Sequence, residues 1–338
     1  MAQRRITVLG DGQMGLVCAS LLADRADTRV TLWGHAPSAL ESLAESRKSH
    51  RLAAFVLPDS VLVLPDESEA LNGADLIVSA APTQFVRSVW DRIRRYVPAN
   101  TPIISVAKGI ENRTLLRPSQ IILDALGEKS SQRAVAALSG PTIAAELVRR
   151  LPATMVAASD NADLAATVQE LFTTPWLRIY TNDDLVGVEI AGATKNVIAI
   201  AAGVLDGLQA GCNAKSALLA RGLAEISRLG VALGARAETF FGVAGVGDLA
   251  TTCFSPEGRN RSCGEALGRG ETLEDYLASS ESVVEGVATT RSVMDLAKRE
   301  QVDMPIAAAV HAVLFENVDP IDAIAGLMSR APKAERVG

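Results

Sequence analysis

The sequence predicts an α/β chain in which a doubly wound, mostly parallel sheet fills the first half and helices alone fill the second. Three observations carry this. Short runs of β-branched and aliphatic residues alternate with helix-period segments up to about Asp184. A glycine-rich turn joins the first run to the first helical pattern. Beyond Asp184 no comparable strand-like run recurs.

The runs read in order as Ile6 to Leu9, Val30 to Trp33, Val61 to Leu64, Leu76 to Ala80, Ile103 to Val106 and Ala134 to Leu138. Their spacing leaves room for a helix between neighbours, which is the signature of βα units and a parallel sheet. Ala153 to Ala158 and Trp176 to Tyr180 are expected to extend the sheet. From Asp184 onward the texture is helical, with Leu185 to Leu208 and Ala214 to Leu233 as the longest patterns. A chain of 338 residues exceeds the size at which one core usually keeps growing, so two domains are expected, 1–184 and 185–338. No flexible linker or repeat marks the join.

Composition narrows the function classes. Hydrophobic residues make up 48% and charged residues 21% of the chain, enough for a sizeable core, while 4% aromatics argues against an aromatic-rich β-sandwich. A net charge of −6 argues against nucleic acid or an anionic membrane as partner, so any anionic ligand needs cations gathered locally. Cys18, Cys212, Cys253 and Cys263 form no CxxC pair, and three histidines give no metal-ligand pattern. Neither a metal site nor a disulfide framework is expected, and reduced thiols suit a cytoplasmic protein. The N-terminus passes into a strand-like run without a signal core. The longest fully apolar stretch, Val197 to Leu205, is short for a bilayer span, so membrane insertion is not expected.

The turn reads ITVLGDGQMG, with Gly10, Gly12 and Gly15 between a strand and a helical pattern. Glycine serves there for the tight turn, for backbone approach to a pyrophosphate, and for close packing of helix on strand. The helix N-terminus offers free N–H groups to the phosphates. Alone the pattern is common by chance, and an ordinary glycine-rich turn could produce it. Its context makes it a dinucleotide site, with Gln13 and Met14 inside the loop. An NAD-selective site ends its second strand with an acid. Here Trp33 is followed by Gly34, His35 and Ala36, so NADP is permitted as well as NAD. His35 is the candidate for a 2′-phosphate, against the simpler reading of a solvated loop histidine.

Two lysines are poorly explained by folding. Lys108 closes an apolar run where doubly wound sheets bind ligands. Lys195 lies within a helix that is apolar on most of its circumference, where it must either snorkel to water or face a polar cavity. For a lone lysine, snorkelling is the commoner solution.

The segments GDGQMG, APTQFVR, SVAKGIE, LSGPTIAAEL, GVEIAGATKNVIAIAAGVLDGL, GVGDL, GRNRSCGEALGRG and VVEGV resemble, in order, those of bacterial NAD(P)-dependent glycerol-3-phosphate dehydrogenases. The resemblance runs from residue 6 to about 287, and the closing DMPI and AIAGLMSR are similar to that family's tail. It implies a Rossmann-type domain followed by an all-helical domain, NADPH or NADH as cofactor, and reduction of dihydroxyacetone phosphate to sn-glycerol 3-phosphate for phospholipid synthesis. It also implies a homodimer.

Position by position, the resemblance makes Lys195 the catalytic acid/base and Lys108 a lysine at the substrate and nicotinamide end. It makes Gly140, Thr142, Asp248, Gly258, Arg259 and Asn260 substrate contacts, with Arg259 also near the cofactor. Ala144, Val283 and Glu285 become cofactor contacts. Gln13, Met14 and Gly258 depart from the residues usual at their positions, and at Gly258 a serine hydroxyl is missing. The chemistry is intelligible on its own terms. Hydride arriving at a ketone carbon leaves charge on oxygen, which Lys195 can protonate and a second cation can stabilise. Arg259 can grip a phosphate with its planar fork. Rival readings are a related hydroxy-acid or hydroxyacyl dehydrogenase, which would not need Arg259, and a non-catalytic NADP sensor, which would need neither lysine.

Overall fold

The structure, a computed structural model, describes residues 3–129, 132–280, 283–332 and 334. Of the N-terminal segment read above for a signal core, residues 1 and 2 lie outside these. The chain forms two compact units, Met1–Ala107 with Pro118–Leu185, and Lys108–Arg117 with Val186–Gly338.

The first unit is a sheet of eight strands: β1 (Arg4–Leu9), β2 (Thr28–Trp33), β3 (Leu62–Val63), β4 (Leu76–Ser79), β5 (Ile103–Ser105), β6 (Val135–Ser139), β7 (Ala153–Ala158) and β8 (Leu177–Asn182). All eight expected runs form strands. Their order is β3-β2-β1-β4-β5-β6-β7-β8, parallel throughout except where β6 meets β7 antiparallel. The order reverses between β1 and β4, which makes that boundary the topological switch point. Parallel strands covered on both faces read as continuous apolar runs, and β4 and β6 are buried along their whole length. The intervening helices are α1 (Gln13–Ala23), α2 (Pro37–Ser46), α3 (Glu67–Leu71), α4 (Thr83–Ile93), α5 (Pro118–Leu126), α6 (Ala144–Val148) and α7 (Ala162–Phe172).

The second unit is helical: α8 (Leu185–Gly207), α9 (Gly211–Ala232), α10 (Asp248–Phe254), α11 (Arg259–Gly268), α12 (Leu273–Ser279), α13 (Glu285–Arg299), α14 (Pro305–Phe315) and α15 (Pro320–Met328). It has its own core, running from Ile110 through α8 to Leu314. The segment Lys108–Arg117 belongs to this unit although it follows a strand of the first. Ile110 is fully buried in the second core, Ser292 Oγ donates to its carbonyl at 3.0 Å, and Asn196 Nδ2 donates to the Lys108 carbonyl at 3.2 Å.

Helix α8 is long and apolar enough by length and composition to cross a membrane, and 89% of its most apolar window is buried within the fold. Its apolar residues are buried in the second core. Against α11 the approach is backbone to backbone. A Cβ on Gly203 would lie 1.9 Å from the Arg261 carbonyl oxygen, and one on Gly264 would lie 1.9 Å from that of Ile200. Glycines on both helices therefore fix the distance between Lys195 and Asn196 on one and Arg259 and Asn260 on the other.

Candidate active site and nucleotide cradle

At the switch point, the three loop glycines play separate physical roles. Gly10 has φ +124°, a conformation L side chains rarely adopt, and a Cβ there would meet the Ala80 carbonyl oxygen at 2.9 Å. Gly15 packs α1 onto the turn, since its Cβ would fall 1.8 Å from the Gly10 oxygen. Gly12 faces open space, with nothing within 4 Å of a Cβ, and caps α1 without a side-chain hydrogen bond. The first N–H groups of α1 are thus left to an external acceptor. This cradle fits a pyrophosphate. Gln13 is turned away, its Nε2 donating to the Arg51 carbonyl at 2.7 Å, and Met14 packs on the core.

At the end of β2, His35 is exposed, and its Nδ1 lies 3.3 Å from Arg92 Nη1. Arg92 also stacks over Trp33 at 5.2 Å and pairs with Glu67. The sequence reading missed Arg92 because it lies on α4, 57 positions from His35. In the same unit Gly140 has φ +136°, Thr142 Oγ1 donates to the Gly140 carbonyl at 3.1 Å, and Ala144 is buried at the start of α6. Beside them, the buried Ser139 hydroxyl has no hydrogen-bond partner among the described residues.

In the second unit, Asp248 is 1% exposed and accepts from two lysines, Lys195 Nζ at 2.7 Å through Oδ1 and Lys108 Nζ at 2.7 Å through Oδ2. Asp248 opens α10, yet its side chain serves the lysines and does not cap that helix. Lys195 is 7% exposed, so it faces this polar cluster and does not snorkel. Its second partner is the Thr252 hydroxyl, which in turn donates to the Asp248 carbonyl at 2.7 Å. An ammonium has three donors, and two are used, leaving one N–H of Lys195 for a further acceptor. Two ammoniums share this one carboxylate in a largely desolvated place.

Burial above all lowers the Lys195 pKa from 10.5 to about 8; Asp248 opposes that shift and Lys108 adds to it. Burial is the contribution the sequence could not show.

Asn260 is held from both ends of its amide. Its Nδ2 donates to Asn196 Oδ1 at 2.9 Å, and its Oδ1 accepts from Gly286 N at 2.8 Å. One amide hydrogen remains for a ligand, and the residue also positions Asn196, which the sequence reading had passed over together with Thr252. Gly258 precedes α11, and a Cβ there would sit 3.2 Å from the Ser255 and Thr252 carbonyl oxygens. Arg259 is exposed and carries no hydrogen bond or ion pair among the described residues. It is the first residue of α11, the end at which a helix dipole disfavours a cation, so helix stabilisation does not explain it. Val283 is exposed, and Glu285 opens α13. Among the described residues no group of side chains could hold a metal ion.

The N-terminal description of the NAD-dependent glycerol-3-phosphate dehydrogenase family matches residues 5–165, and its C-terminal description matches residues 184–325. The chain is 46% identical over 334 residues to a glycerol-3-phosphate dehydrogenase of Salinibacter ruber, covering 98% of this chain and 96% of the relative. It is 42% identical to one of Listeria monocytogenes over 337 residues, covering 99% of each. The crystal structure of glycerol-3-phosphate dehydrogenase from Coxiella burnetii superposes with a TM-score of 0.92 at 32% identity, covering 97% of this chain and 99% of that one. A ketopantoate reductase from Ralstonia eutropha shares the fold alone, at 15% identity and a TM-score of 0.60. By these matches the chain belongs to the NAD(P)-dependent glycerol-3-phosphate dehydrogenase family.

Proposed function

We propose that the protein reduces dihydroxyacetone phosphate to sn-glycerol 3-phosphate, reversibly, and so supplies the backbone of glycerophospholipids. The observation that carries the reading is the cluster in which buried Asp248 holds buried Lys195 and, at its edge, Lys108, with Thr252 on Lys195. When bound, the nicotinamide supplies the hydride. As the ketone carbon is reduced, the free N–H of Lys195 gives its proton to the carbonyl oxygen, and Lys108 stabilises the charge developing there. Asp248 fixes both ammoniums, and Thr252 orients the donor. Arg259, which makes no hydrogen bond or ion pair among the described residues, takes the substrate phosphate, and Asn260 adds its remaining amide hydrogen.

When bound, the cofactor would be held by its pyrophosphate at the Gly10–Gly15 cradle. His35 and Arg92 form the 2′-phosphate end, which favours acceptance of NADPH, and Ala144, Val283 and Glu285 are further cofactor contacts. Gly140 and Thr142 contact the substrate. The protein works in the cytoplasm on a free small molecule, as a homodimer, which sedimentation would check.

The reading is tested by nicotinamide absorbance with paired ketones. NADPH oxidation is expected with dihydroxyacetone phosphate and hardly at all with unphosphorylated dihydroxyacetone. Arg259→Ala is expected to raise KM for the phosphorylated ketone by about 10- to 100-fold, the worth of a charge-assisted contact. Equal rates with both ketones would overturn the assignment.

A further inference from the structure

A cavity of about 570 Å³ lies within the helical unit, walled by α8, α9, α14 and α15. That volume is ample for a ligand of drug size. Nothing in the proposed chemistry uses it.

The wall supplied by α9 is graded. Ala214, Leu218, Arg221, Glu225 and Arg228 follow one another at spacings of three or four, with Ala217 beside Leu218, so they share a single face over about 21 Å of helix. Its N-terminal half is apolar and its C-terminal half is charged. The apolar half continues on α8, through Ile200 and Val204, and on α14, through Val310 and Val313.

The charged half has cations in excess: Arg221, Arg228 and Arg330 against Glu225. Arg228 Nη2 donates to the Asp303 carbonyl at 2.8 Å, and Arg330 Nη2 pairs with the Asp303 carboxylate at 2.7 Å. Arg221 lines the same cavity with no hydrogen bond or ion pair among the described residues. Glu225 is 2% exposed and committed to the start of α14, accepting from Ile306 N at 2.8 Å and Ala307 N at 3.2 Å. Its burial pushes the carboxyl up to about 7, so near neutrality it opposes an incoming anion only in part.

We propose that this cavity binds a single-chain amphiphile with an anionic head, the alkyl chain lying along the apolar half and the head on Arg221. A chain with a charge at one end is the ligand that such a graded wall complements. A neutral apolar ligand would leave Arg221 desolvated and unpaired, and a polar anion would leave the apolar half empty. A fatty carboxylate and an alkyl phosphate share the required chemistry.

The test is isothermal titration calorimetry on the full chain with laurate and with dodecyl phosphate, each below its micellar concentration. Acetate, inorganic phosphate and dodecyltrimethylammonium serve as controls. Saturable one-to-one binding is expected for one or both anionic amphiphiles and for none of the controls; the tighter of the two identifies the head. Arg221→Ala should weaken binding by about tenfold or more. Ala217→Trp, which places an indole inside the cavity from a helix surface, should abolish it. Ketone reduction without amphiphile should be unchanged in Arg221→Ala, which shows that variant to be folded. The inference is overturned if no amphiphile binds, or if the cationic one binds as well as the anionic ones. Binding that ignores both substitutions overturns it too. Failure to bind combined with a sedimentation change in Ala217→Trp would instead make this face an interface between copies of the chain.

Discussion

In the first unit, Gly10, Gly12 and Gly15 sit within one turn and act through the backbone. In the second, the Asp248 carboxylate gathers Lys108 and Lys195 from 140 and 53 positions away and acts through charge. The two regions are vulnerable in opposite ways. The cradle depends on the absence of atoms, because a Cβ on Gly10 would collide with Ala80 and one on Gly15 with Gly10. The cluster depends on the presence of charges, and the buried pair of Lys195 and Asp248 is tolerated because each answers the other. A local backbone motif is therefore sensitive to size, and a long-range ionic site to charge at constant size.

The largest effect is expected at Lys195. Lys195→Met keeps most of the volume and removes the proton donor, so kcat should fall by about 10² to 10⁴ while NADPH affinity measured by fluorescence stays nearly intact. In the unaltered enzyme the donor must be protonated. With a pKa of about 8, kcat for ketone reduction should be flat below that pH and fall above it, and the Met variant should lose this inflection. Stability carries the matching sign. Between about pH 8 and 10.5 the unfolded chain binds the proton that folded Lys195 has released, so this lysine's contribution to stability rises with pH there. A near-normal kcat in Lys195→Met would show that the cluster is structural.

Gly15→Ala sharpens the other half of the comparison. Its Cβ would be placed 1.8 Å from a backbone oxygen, so α1 must shift, at a cost of about 1–3 kcal/mol in urea unfolding and a marked loss of NADPH affinity. Unaltered affinity and stability would mean that the cradle tolerates added size.

The smallest effect is expected from His35→Asp, which leaves the cradle intact and sets a carboxylate beside Arg92. The ratio of kcat/KM for NADPH to that for NADH should fall by several-fold, as a fixed negative charge disfavours a 2′-phosphate. An unchanged ratio would remove His35 and Arg92 from the cofactor reading.

Much of this architecture was legible in the sequence because its signals are local. Strand runs, helical periods and the spacing of Gly10, Gly12 and Gly15 depend on neighbours within a few residues, and all eight strands appeared where those patterns placed them. Lys108 and Lys195 were also visible, as charges in apolar surroundings. Their partners were not. Thr252 carries no signal in a sequence, and its tie to Lys195 exists only because α10 is folded onto α8. Asn196 and Arg92 were passed over for the same reason, each meeting its partners across the fold.

The sequence by itself determined the order of elements, the glycine turn and the cations, since backbone sterics and hydrophobic periodicity act at short range. Only the tertiary structure decided that Lys108–Arg117 joins the helical unit, that Lys195 is buried and lowered to about 8, and that Arg259 and Arg221 make no hydrogen bond or ion pair among the described residues. Desolvation and ion pairing depend on what surrounds a charge in three dimensions, and those surroundings come from parts of the chain far apart in sequence.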